Sequence, residues 1–99
     1  MKILFLGDVV GLSGCRKITN DLLGQIKKNN IDFVIINGEN ADDTGVGLTK
    51  EICKNFFENG VDVITTGNHV WDQKDIMNFI DKENRLLRPK NLFEPAPGR

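Results

Sequence analysis

One histidine, His69, and one tryptophan, Trp71, are all the chain holds of either residue, and they stand two positions apart. Whatever chemistry needs an imidazole must use that one. No apolar run approaches the ~20 residues of a membrane span. The N-terminal run Ile3-Leu4-Phe5-Leu6 is too short for the core of a signal peptide, and Asp8 interrupts it. The chain therefore reads as cytoplasmic, with no membrane partner. Cysteine is scarce: Cys15 and Cys53 lie far apart and form neither a C-x-x-C motif nor a disulfide framework. Both fall on expected apolar helix faces and read as small buried hydrophobes. A basic surplus is missing too, with 13 Lys and Arg against 14 Asp and Glu, and no stripe of the kind a nucleic-acid backbone requires. Proline is confined to Pro89, Pro95 and Pro97.

What is present is a pattern that repeats three times within 99 residues, a length that allows one small domain. Each round has a short apolar run, a polar loop rich in Gly and Asn, and then helical spacing of apolar residues. Strands are expected near 2–7, 32–37 and 61–66. After the first, Ser13 is placed to cap a helix with Cys15, Ile18, Leu22, Leu23 and Ile26 on its apolar face. After the second, Thr49 caps a helix carrying Ile52, Cys53, Phe56 and Phe57, and Gly60 ends it. After the third, Asp72 is placed to cap a helix through Ile76, Met77, Phe79 and Ile80. Arg85-Leu86-Leu87-Arg88-Pro89 has room for one more short strand. Apolar strands alternating with amphipathic helices predict an α/β fold with a parallel sheet and covered faces. Right-handed crossovers then open all three strand-to-helix loops at the carboxyl edge, where open α/β sheets bind ligands.

That edge gathers the polar groups. The first loop offers Asp8, the second Glu39 and Asn40, the third Asn68 and His69. Each has an ordinary reading on its own. Asp8 starts a turn, Asn37-Gly38 and Asn40 suit turn chemistry, and a lone histidine is commonly a surface group. Asp42 and Asp43 read as a solvated loop; Val70 and Trp71 read as packing. Convergence of three strand ends favours a site. Hard oxygen donors with one imidazole suit Mn, Fe, Zn or Mg. Gly7, Gly38 and Gly67 precede the candidate groups and are expected to turn the backbone so that the next side chain rises into the crevice.

The segments "FLGDVVG", "INGENA" and "TTGNHVWD", in this order at three strand ends, resemble the YmdB-type branch of the calcineurin-like metallophosphoesterases. The likeness runs through essentially the whole chain, "RLLRP" included. It implies the N-terminal half of a β-sandwich flanked by helices, and a phosphodiesterase with two divalent metal ions such as Fe or Mn, acting on cyclic nucleotides or similar phosphodiesters. It implies Asp8 on one metal, Glu39 between both, Asn40 and Asn68 as further ligands, and His69 as the acid that protonates the leaving oxygen. The family's remaining ligands are histidines in the second half of a chain more than twice as long. Four oxygen donors cannot fill two coordination shells. The expectation is therefore an incomplete half-domain spanning 1–99, truncated near Pro97-Arg99 and inactive alone. It would hold metal weakly or singly. With the second half missing, one sheet face and a strand edge are expected to lie open, favouring self-association or a complementing second-half chain.

Two other readings stand beside it. Gly7, Gly11 and Gly14 after the first strand, with Glu39 ending the second, suit a nucleotide-binding module, although the spacing is not the dinucleotide fingerprint. A non-enzymatic remnant or interaction domain would keep the half-fold without the chemistry.

Overall fold

The computed structural model describes residues 1–91 and 96–99, so Pro95 lies outside the described residues. In chain order the elements are β1 (Ile3–Asp8), α1 (Gly11–Asn29), β2 (Phe33–Asn37), α2 (Lys50–Glu58), β3 (Val63–Thr65), α3 (Ile76–Phe79) and β4 (Leu86–Leu87). The strands form one parallel sheet in the order β1-β2-β3-β4. The expected strands are each found within two residues of their predicted limits, and the short fourth strand is present.

Two aspartates set the start of the sheet. Lys2 N donates to Asp32 Oδ2 at 2.7 Å while Asp32 N donates to Lys2 O at 2.8 Å. One repeat later Val34 N donates to Asp62 Oδ2 at 2.8 Å while Asp62 N donates to Val34 O at 2.9 Å. Each aspartate satisfies the leading donor of the neighbouring strand and fixes the parallel register, Ile3 opposite Phe33 and Ile35 opposite Val63.

Because the strands lie in sequence order, right-handed crossovers send the helices to the same face. Thr19 Oγ1 of α1 lies 3.0 Å from Asn55 Oδ1 of α2, which places these two helices side by side. Val34, Ile36, Ile64 and Leu86 point to that face and are buried with Ile18, Leu22, Phe56, Ile76 and Ile80. The opposite face is not covered by the described residues: Ile3 is 56% and Phe5 60% exposed. Sequential strand order is the reason, and the open face is the one expected of a half-domain whose second half is missing.

The helices correct further expectations. α1 starts at Gly11 with Val10 as its N-cap and no side-chain cap, so Ser13 is inside the helix. Leu23 is exposed rather than on the packed face, and Cys15 is half-buried. α1 ends on Asn30, left-handed at φ 54°, a conformation that asparagine tolerates. α3 has only four residues and no cap from Asp72; Met77 is exposed. Its would-be first turns are spent on backbone turns at Gly67–Val70 and His69–Asp72, closed by Val70 N to Gly67 O and Asp72 N to His69 O, both 3.1 Å.

α2 follows its predicted signals. Thr49 Oγ1 accepts from Ile52 N at 3.3 Å, and Gly60 adopts φ +100° just after the helix. Thr49→Ala is expected to cost about 1 kcal/mol, the usual value of a lost N-cap. The urea midpoint of unfolding should fall accordingly; an unchanged midpoint would show the cap to be idle. Cys53, buried between α2 and the sheet, has its thiol pushed well up by that burial, with Asp75 and Glu83 adding to it, so it is an inert hydrophobe as expected.

Candidate metal and phosphoryl-transfer rim

Three backbone hydrogen bonds draw the carboxyl ends of β1, β2 and β3 together. Val9 N donates to Asn37 O at 3.1 Å, Gly11 N to Asn40 O at 3.0 Å, and Gly38 N to Thr65 O at 2.9 Å. The loop after β2 is thus bonded to both of its neighbours. Asn37 closes it locally, its Oδ1 accepting from Glu39 N at 3.2 Å. The Cys15 thiol donates to Ala41 O at 3.2 Å and ties α1 to the back of the same loop. Partial burial raises the pKa of that thiol, with Asp43 and Asp42 adding to the shift.

On this frame two contacts join the candidate side chains. Asn40 Nδ2 donates to both carboxylate oxygens of Asp8, at 3.2 and 3.0 Å. Asn40 Oδ1 is left buried with no hydrogen-bond partner. The second contact is between the loops after β2 and β3. The Glu39 carboxylate lies over the backbone of Gly67, and its Oε2 is 3.5 Å from the His69 amide nitrogen. A methyl group on Gly67 would fall 2.1 Å from Glu39 Oε2 and 2.4 Å from its Cδ. Asn68 follows on the same loop, exposed, with no side-chain bond to the other four among the described residues. The His69 ring bonds to Asp72, with Nδ1 and Oδ2 2.9 Å apart.

The five expected residues therefore stand on one rim, in two groups: Asp8 bonded to Asn40, and Glu39 packed over Gly67 within reach of the His69 amide, with Asn68 beside the second. The role expected of the glycines needs correction. None of Gly7, Gly38 and Gly67 has a positive φ. Gly67 is needed for the space that Glu39 occupies. Gly38 is packed, its missing methyl only 3.1 Å from Ile64 Cγ2, and Gly7 faces open space. The glycines after β1 do not form a phosphate cradle either. The amide of Gly11 is already used by Asn40, and Gly14 packs against Val9 Cγ1.

Sequence reasoning missed Gln73. Its Nε2 donates to Asp42 Oδ2 at 3.1 Å and Val46 O at 3.2 Å, and lies 3.4 Å from Thr44 Oγ1. It clamps the far side of the β2–α2 loop to the turn that carries His69. Asp42 is thus a structural acceptor rather than only solvated, a long-range pairing that local spacing does not reveal.

The chemistry of the donors fits a hard divalent cation. Each of two strand ends brings a carboxylate to the rim, Asp8 and Glu39, and the orphaned Asn40 Oδ1 is an acceptor in want of a partner. Their number does not suffice for two ions. Among the described residues, no three of His, Cys, Asp and Glu cluster closely enough to hold a metal. No helix among them is long and apolar enough to cross a membrane.

Known proteins share this fold. The family model described as YmdB-like protein matches residues 4–99. A 2′,3′-cyclic-nucleotide 2′-phosphodiesterase of Bacillus subtilis is 47% identical over 100 residues, covering 100% of this chain and 37% of the relative. A putative phosphatase/phosphodiesterase of Mycoplasma genitalium is 40% identical over 95 residues, covering 95% of this chain and 33% of the relative. Among solved structures, a novel phosphatase from Mycoplasma pneumoniae superposes with a TM-score of 0.89 at 37% identity, over 99% of this chain and 36% of that one. A hypothetical protein from Thermus thermophilus gives 0.88 at 36% identity, over 100% of this chain and 38% of that one. The chain thus spans little more than a third of the length of the relatives it matches.

Proposed function

The chain belongs to the YmdB-like family, and on that premise we propose that it supplies the N-terminal part of a metal-dependent phosphodiesterase site for a cyclic nucleotide or similar small phosphodiester. The single observation that carries this reading is the meeting of three strand ends, with Asn40 bonded to Asp8 and Glu39 seated over Gly67 beside Asn68 and His69. Asp8, Glu39, Asn40 and Asn68 would hold the metal. Divalent ions, when bound, supply an activated water and offset charge on the phosphoryl oxygens. The work of the chain itself is positioning and proton transfer. Asn40 steadies the Asp8 carboxylate, and Glu39 is kept upright by the gap at Gly67. His69 donates the proton to the leaving oxygen, a task suited to an imidazole, which can hold and release a proton at a ring nitrogen.

Further ligands come from a polypeptide that also covers the open sheet face carrying Ile3 and Phe5. Two free cysteines, one of them half-buried, fit a reducing, cytoplasmic setting.

The test is a chimera in which residues 1–99 replace the equivalent segment of the Bacillus subtilis relative. Hydrolysis of a 2′,3′-cyclic nucleotide in the presence of Mn, lost on Asp8→Ala, is the expected result. A folded chimera that hydrolyses no phosphodiester would end the reading.

A further inference from the structure

Asp72 has no part in the helix it was expected to cap. α3 begins four residues later, at Ile76. What Asp72 does instead is decided by two consecutive turns. Val70 N bonds to Gly67 O and Asp72 N bonds to His69 O, so residues 69 and 72 stand at the two ends of one turn. Side chains so placed can meet, and Asp72 Oδ2 lies 2.9 Å from His69 Nδ1. The turn is held from both sides. Val70 is fully buried in the core, and Gln73 is bonded across to the β2–α2 loop. His69 and Asp72 remain about two-fifths exposed, on the solvent side of that anchored turn. An ion pair so exposed contributes little to folding.

We propose that Asp72 is the positioning residue of His69: it fixes the ring and holds the proton on Nδ1, which leaves Nε2 as the working nitrogen. An ionised carboxylate only accepts hydrogen bonds, so at this contact Nδ1 must be the donor. A free imidazole in water would distribute its proton between both nitrogens and its ring among rotamers. With Nδ1–H held by Asp72, one ring orientation and one reactive nitrogen remain. When His69 acts as acid, the Nε2–H bond breaks and an O–H bond forms on the leaving oxygen. That oxygen takes the electron pair of the breaking P–O bond, and the Nδ1 proton stays where it is. The use of Nε2 in catalysis rests on the function proposed above; the tautomer does not.

The chain's single histidine makes the test direct. Two-bond ¹H–¹⁵N correlation on the ¹⁵N-labelled chain reads one ring, with no assignment needed. With the ring neutral, the wild type is expected to show the Nδ1–H pattern, and Asp72→Ala to convert it to mainly Nε2–H. Asp72→Ser is also too short to reach the ring and gives the same conversion should the alanine variant fold poorly. A neutral wild-type ring protonated on Nε2, or a pattern unmoved in both variants, overturns the proposal.

The chimera adds a second readout. Asp72→Ala should lower kcat at least about tenfold on a cyclic nucleotide, with KM little changed, because removing the orienting aspartate of a catalytic histidine is costly elsewhere. It should matter much less for a 4-nitrophenyl ester, whose leaving group needs no proton. Loss of activity on both substrates alike, with KM raised, would argue against positioning. If His69→Ala shows no such dependence on leaving group, the acid role fails while the tautomer result still stands by itself.

Discussion

Gly67→Ala and Glu39→Ala are both expected to strip metal and turnover from the completed enzyme, whereas His69→Ala should keep its metal and turn over about 10²–10⁴-fold more slowly. The reasoning starts from volume. At Gly67 an added methyl group would overlap the Glu39 carboxylate at 2.1 Å. Backbone cannot yield there, since Gly67 O accepts from Val70 N and Gly38 N reaches across to Thr65 O. The carboxylate is the flexible end of a side chain, so it is Glu39 that moves. The fold therefore tolerates the change, and the cost falls on ligand placement, which metal-assisted phosphoryl transfer depends on. Glu39→Ala removes the same oxygens outright. His69 is different, because only its backbone amide lies near Glu39, while its ring bonds to Asp72. Elemental analysis beside circular dichroism on the three chimeric variants checks this. Equal metal loss in His69→Ala would make the histidine a ligand, and full metal in Gly67→Ala would show that Glu39 does not bind where it is seated.

Residues 1–99 alone are expected to give no measurable phosphodiesterase turnover and to elute larger than a monomer. The donors on the rim are Asp8, Glu39, Asn40 and Asn68, with His69 committed to the proton. Each absent ligand lowers both affinity and geometric definition. The uncovered sheet face, with Ile3 and Phe5 more than half exposed, favours association with any apolar partner, another copy included. β1 also leaves its outer edge unpaired by any described strand. The measurement is an assay of the purified chain with Mn or Fe(II) on an activated phosphodiester and a cyclic nucleotide, paired with light scattering. Robust turnover that vanishes in His69→Ala would mean that this segment carries a working site by itself.

How much of this could be read from the residues follows the range of the interactions. The strand ends were legible because short apolar runs stopped by Gly and Asn are local signals, and parallel topology then forces those ends to one edge. Thr49 was legible for the same reason: a cap reaches only three residues. Asp72 offered the same local signal and was misread, since its carboxylate had a nearer competitor in His69. The purpose of Gly67 is invisible along the chain because Glu39, the group needing the space, comes from another loop. Asp32 and Asp62 are likewise silent in sequence, for each acts on the strand beside it. Strand composition asks for cover on both faces, and the half-domain reading leaves one of them open; which face that is follows from strand order, which composition does not encode.

That order also bears on how the chain comes together. Ile3 faces Phe33, Ile35 faces Val63, and Ile64 faces Leu86, so each pairing closes a loop of roughly 20–30 residues, where the entropy of closure grows only slowly with length. None of these three pairings waits for a strand made much later. Each β–α unit meets an already finished neighbour as the chain emerges from synthesis, and Asp32 and then Asp62 latch it into register. Assembly can thus run in one direction from β1, with low contact order for a parallel sheet. The rim grows in the same sequence: Asp8 first, then Glu39 and Asn40, and last the turn that carries His69.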